Sequence, residues 1–165
     1  MNQQILESKQ NTVKEIVEKA QASQSVTIAE YRGLTVAQIQ ELRRALRAEG
    51  AEMCVYKNSL VSRAAKELGW NGLDEILTGP NAIIFSQEMS NGPKVVNKYS
   101  RRFRQVLVLK GGVVEDRVLD KEKMVEVAKM PGREGLLSMF LSCLQAPVRQ
   151  FACAVQAIAD AKSAN

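Results

Sequence analysis

The chain has 165 residues, enough for one ordinary domain or a domain with an appendage; its 45% apolar and 25% charged shares suit a globule whose core needs no disulfides. Lys and Arg number 23 against 18 acids, a net charge of +5 that permits an anionic partner without demanding one. The absence of histidine excludes Ser-His-Asp and Cys-His catalysis and His-ligated metals, while Cys54, Cys143 and Cys153, odd in number and without C-x-x-C spacing, exclude a disulfide framework and a four-cysteine zinc site.

The opening stretch, Met1 to Ala22, lacks the apolar segment of a signal peptide and carries Glu7, Glu15 and Glu18, so a reduced, cytoplasmic setting is expected. Ile5, Leu6, Val13, Ile16, Val17 and Ala20 recur near helical spacing and predict a first helix. Val26 to Tyr31 predicts a strand, ended by Arg32-Gly33. Thr35-Val36-Ala37-Gln38 fits a capping box, opening a helix with an apolar stripe of Val36, Ile39, Leu42 and Leu46 that Gly50 stops. Met53 to Tyr56 predicts a second strand, and Asn58-Ser59 a cap for a helix carrying Leu60, Val61, Ala64 and Leu68. A short helical piece follows around Leu73 to Leu77, before the breaker Gly79-Pro80.

Ala82-Ile83-Ile84-Phe85 is a continuous apolar run, the pattern of a central strand covered on both faces. Pro93 is placed to begin a helix running to about Phe103. Val106 to Leu109 predicts another buried strand, Gly111-Gly112 a turn, and Val113-Val114 a further short strand. Asp120 is a candidate cap for a helix over Met124 to Ala128. The fold class expected is α/β: a single mixed sheet packed with helices, over residues 1–130. Lys129 to Arg133 reads as a hinge. Residues 131–165 have no strand signal and predict a long amphipathic helix, with a kink expected at Pro147.

In that terminal helix Leu137, Phe140, Leu141 and Leu144 are expected to form one apolar face, and Val148, Phe151, Val155 and Ile158 another, in two successive blocks. With Leu136 and Met139 they would contribute an upper bound of ~15–30 kcal/mol if fully buried, which a lone helix cannot do within itself. Packing back onto the domain is the ordinary fate of such a helix; the hinge and the two successive blocks favour instead a docking rod for partner helices. It is poor in Lys and Arg for a membrane-surface helix, and no apolar run approaches the length of a span, so no membrane partner is expected.

No acid occurs between Glu88 and Glu115, a window holding Lys94, Lys98, Arg101, Arg102, Arg104 and Lys110. The first four follow the spacing of one helix face. Arg43 and Arg47 form a like-charge pair one turn apart, with Arg44 between them. Arg32-Gly33 and Lys57-Asn58 stand at the ends of two strands expected to be adjacent, at a rim where binding residues gather. Together these clusters favour a phosphate backbone, and the lack of an exposed aromatic pattern favours folded RNA. No S-x-x-K, phosphate loop, dinucleotide fingerprint or carboxylate pair is evident, so no catalytic residue, metal or cofactor is expected.

Tyr31-Arg32-Gly33-Leu34-Thr35, the basic segment Leu42-Arg43-Arg44-Ala45-Leu46-Arg47, Gly50, Val55-Tyr56-Lys57-Asn58-Ser59-Leu60 and Gly79-Pro80-Asn81-Ala82 together resemble the bacterial stalk-base protein of the large ribosomal subunit, the ribosomal protein L ten family. The resemblance spans the chain; the tail matches only in character. It implies a structural protein whose α/β domain sits on ribosomal RNA beside another stalk-base protein. Its terminal helix would carry dimers of the small acidic stalk protein, which recruit the translational GTPases. By resemblance Arg32, Gly33, Lys57, Asn58 and Ser59 fall on motif positions near the RNA. Arg43, Arg44, Arg47, Arg63, Lys94, Lys98, Arg101 and Arg102 are added here on electrostatic grounds, and the tail contacts on the apolar pattern. Two blocks predict two docked dimers. Two other expectations compete: a homo-oligomeric scaffold whose terminal helix pairs with itself, and a small α/β enzyme using Lys or carboxylate chemistry.

Overall fold

The structure, a computed structural model, describes residues 3–70, 72–103 and 106–163. In chain order it comprises α1 (Gln3–Ala22), β1 (Ser25–Glu30), α2 (Val36–Ala48), β2 (Ala51–Cys54), α3 (Asn58–Glu67), α4 (Leu73–Ile76), β3 (Asn81–Ser86), α5 (Asn91–Arg102), β4 (Val108–Val114), β5 (Arg117–Asp120), α6 (Lys121–Lys129) and α7 (Arg133–Ser163). The five strands form one sheet in the order β2-β3-β1-β4-β5. The α/β class with one helix-packed sheet is as expected, but every pairing is antiparallel, not mixed. The physical reason is a skipped place: the crossover from β1 through α2 sets β2 parallel to β1, and β3 then inserts between them, antiparallel to both.

Alternating side chains along the strands supply a core on each face. On one face Val26, Ile28, Ile83 and Phe85 meet Val13, Ile16 and Ala20 of α1 and Val61 and Ala64 of α3. On the other Ala29, Ile84 and Leu109 meet Leu42 and Leu46 of α2, Val95 and Val96 of α5 and Met124 of α6. The central run β3 is buried at every position, as its continuous apolar sequence predicts. Thr35 forms the expected capping box, its hydroxyl accepting from the Gln38 amide at 3.4 Å while its own amide donates to the Gln38 side chain at 2.9 Å. Val36 leaves the predicted stripe and is 72% exposed. At about 100° per residue it lies roughly 120° around the helix from Leu42.

Three local expectations are corrected. Gly111-Gly112 is no turn but the middle of β4, opposite Ile28 and Thr27 where the register shifts. A Cβ on Gly112 would stand 2.3 Å from the Val26 carbonyl, and one on Gly111 2.7 Å from that of Leu119. The glycines are there for close approach of strands, not for a reversal. The reversal falls at Glu115-Asp116, both with positive φ (49° and 62°), a tight hairpin that makes β5. Lys57 is the N-cap of α3, not Asn58, and α5 begins two residues before Pro93.

The chain divides after Met130 into two compact units. The second is α7 alone, continuous across Pro147 and so about 46 Å long. Taken by itself, a helix at about 100° per residue places Leu137, Phe140, Leu141, Leu144, Val148, Phe151, Val155 and Ile158 on one stripe roughly 100° wide. The two blocks therefore share a face along an unbroken helix.

Candidate nucleic-acid interface and docking helix

Strand directions decide which predicted residues meet. Glu30 pairs with Asn81 and Cys54 with Ile83, so the ends of β1 and β2 and the start of β3 share one rim. The loop after β1 carries Arg32 and Gly33, both exposed; Gly33 holds φ +90°, a left-handed conformation that L side chains rarely adopt. The Tyr31 amide donates to the Pro80 carbonyl, fastening this loop to the Gly79-Pro80 turn. On the other side of that turn, the Asn58 side-chain amide donates to the Gly79 carbonyl at 2.9 Å. The two sequence motifs, 25 positions apart between Arg32 and Lys57, are thus stitched together by the third. Arg32-Gly33 and Lys57-Asn58 are not on adjacent strands, since β3 lies between, but they share the rim.

Lys57 and Ser59 are exposed and Asn58 half-buried. No side chain caps α3, whose Leu60 and Val61 amides donate to the Lys57 carbonyl, so the helix begins at an exposed lysine, an arrangement suited to a phosphate. Lys110, one of the cations of the acid-free window, is held inside the rim. Its ammonium lies 2.8 Å from the Glu30 carboxylate and donates to the Thr78 carbonyl, tying β4 to the turn before β3.

The remaining cations are not brought to the rim. Lys94, Lys98 and Arg101 form an exposed stripe on α5. Arg102, on the flank toward α2, pairs with Glu41 and lies 5.7 Å from the Tyr99 ring centroid, so it braces α5 against α2. Arg44 is exposed on α2, while Arg43 and Arg47 line a groove beside β2. Arg63 lies across the sheet, on α3, in a shallow depression with Lys9 and Lys14 of α1. Those two lysines were not singled out from the sequence, because their helix also carries three acids. Arg104 lies outside the described residues.

The groove beside β2 has its own polar cluster. Lys19 bridges Glu15 and Glu52, each at 3.1 Å, and the Tyr56 hydroxyl donates to Glu15 at 2.9 Å. The Tyr56 bond, then Lys19, holds Glu15 below the usual carboxylate range; the Lys19 bond, then the Cys54 thiol, does the same for Glu52. The bond to Glu52 raises Lys19. Burial, then the bond to Glu15, raises Tyr56, and burial pushes the Cys54 thiol up. A thiol so shifted is a poor nucleophile. No group of three or more metal-ligating side chains occurs among the described residues.

Comparison with known proteins matches residues 4–103 to the family described as ribosomal protein L10, and residues 130–165 to the ribosomal protein uL10 C-terminal region. Curated proteins named large ribosomal subunit protein uL10, from Bacillus cereus (strain B4264) and Bacillus anthracis (strain A0248), are each 47% identical over 159 residues, covering 96% of this chain and 95% of the relative. The chain belongs to the ribosomal protein L10 (uL10) family. Membership makes it a structural component of the large ribosomal subunit, not an enzyme, and implies association with the ribosome and its RNA. Its cytoplasmic, ribosomal location follows from that membership; separately, no helix among the described residues is long and apolar enough to cross a membrane. The second matched region begins at the point where the chain divides, so the uL10 C-terminal match covers α7.

Proposed function

We propose that the chain forms the base of the large-subunit stalk, its rim binding ribosomal RNA and α7 anchoring dimers of the small acidic stalk protein. The observation that carries this reading is the α7 stripe: eight large apolar residues on one face of a helix that has nothing in its own unit to cover them. A partner that brings helices of its own supplies that cover. Partner acidity fits the chain's net charge of +5. The docked dimers would in turn recruit the translational GTPases, so the chain acts on them indirectly.

The RNA half rests on the rim. Arg32, Lys57 and the start of α3 with Asn58 and Ser59 gather phosphate-binding groups at one place, where the left-handed Gly33 turns the loop. The exposed stripe of Lys94, Lys98 and Arg101, together with Arg44 and with Arg63 beside Lys9 and Lys14, adds charge on other surfaces, steering the RNA without fixing its register. A neighbouring stalk-base protein completes the site.

The test is native mass measurement of the chain purified with its cellular partners. One copy with four acidic subunits, lost on truncation after Gly132, is expected. A mass with three dimers would correct the count. A self-oligomer without acidic partners would replace the docking reading with a self-pairing scaffold.

A further inference from the structure

β2 ends the sheet and pairs with β3 alone, so its outer edge presents backbone donors and acceptors to no neighbouring strand. A groove beside this strand is lined by Arg43 and Arg47, by Glu15, Lys19 and Glu52, and by Met53 to Tyr56; a separate depression at the start of β2 is shared with the ends of α1 and β3. Val55 is a large apolar side chain left 47% exposed there.

The two walls differ in charge. Arg43 and Arg47 stand on the α2 side and form no ion pair among the described residues. Glu15, Lys19 and Glu52 stand on the α1 side, two carboxylates to one ammonium. A strand laid along β2 sends alternate side chains to the two walls. We propose that this edge takes an extended acidic segment of a neighbouring protein as an added strand, with acids at every second position meeting Arg43 and Arg47 and neutral or basic residues between them.

Charge selects this occupant over two others. A nucleic-acid backbone carries a negative charge at every residue and would press half of them toward Glu15 and Glu52, which their hydrogen bonds hold ionised. A second copy of this chain, paired antiparallel through β2, keeps like faces together and sets Arg43 and Arg47 against their own counterparts. The added-strand site uses neither Arg32, Lys57 nor α7, so it stands or falls apart from the proposed function.

The experiment uses the full chain and a blocked eight-residue peptide of alternating Glu and Thr, with a control of the same composition in two blocks. Titration and amide hydrogen exchange are read together. The alternating peptide is expected to bind about tenfold more tightly than the two-block control and to protect amides within residues 51–56. The double variant Arg43→Ala with Arg47→Ala should lose about tenfold in affinity, while Lys98→Ala binds as the parent does. Equal binding of the two peptides, protection confined to α5 or the rim, or no binding at millimolar peptide would overturn the proposal. So would a double variant that loses RNA affinity and keeps the peptide, since the arginines would then belong to the RNA surface.

Discussion

The two units use the same apolar residue types to opposite ends. In the first, Ile28, Leu42 and Ile84 are fully buried, because a sheet offers two faces and helices cover both. In the second, Phe151 is 73% exposed and Leu144 61%. Both α2 and α7 carry an apolar stripe at helical spacing; what differs is whether the same unit holds a second surface. An apolar stripe thus states a demand for a partner, and only the rest of the unit says whether the chain meets it.

The sharpest break of that contrast is Phe151→Asp. It should release docked acidic dimers at a cost of several kcal/mol, seen by native mass, while calorimetry shows the first unit melting unchanged. If the α/β unit unfolds instead, α7 is core and the contrast is false. Gly112→Val is the reverse case. Its Cβ has no room beside the Val26 carbonyl, so stability should fall by about 3 kcal/mol in urea titration with dimer docking intact in the folded fraction. Within the first unit, Lys57→Ala should weaken RNA binding and lower the slope of log affinity against log salt by about one, leaving stability alone.

The smallest effect concerns acid. Glu15 and Glu52 have lowered folded values, so the tie of α1 to β2 is complete above the ordinary carboxylate pKa of about 4 and is lost as pH falls through the lower folded values. Both carboxylates are largely exposed, and the loss should appear as faster exchange at the end of α1 before any global unfolding. Lys19→Ala should reduce that pH dependence, chiefly the part at Glu52, and leave the part that the Tyr56 bond confers on Glu15.

Much of this was legible in the chain. The Thr35 capping box, the buried run of β3 and the α7 stripe each follow from local spacing, and local spacing is what sequence displays. The antiparallel sheet was not legible, since nothing in β1 or β2 records that β3 will come between them. Gly111-Gly112 misled for a similar reason: glycine marks a turn or a close approach, and only the neighbouring strand distinguishes the two. At the rim, the resemblance identified Arg32 and Lys57, yet the Asn58 bond to Gly79 that joins them needed the fold. The α1–β2 cluster was missed outright, because Glu15, Lys19, Glu52 and Tyr56 look like ordinary solvated positions one by one.

The insertion of β3 between β1 and β2 also sets a timetable for synthesis. β1 finds its partners only in β3 and β4, and β2 only in β3, so no two strands of the sheet can pair until Asn81 has been made. Helices α1 to α3 are translated before any sheet exists to receive them, and a nascent chain holds its apolar faces in waiting until roughly half its length has emerged. A pause in translation before Asn81 would therefore prolong the most aggregation-prone interval in the life of the molecule, whereas one after Val114 would find four of the five strands already able to close.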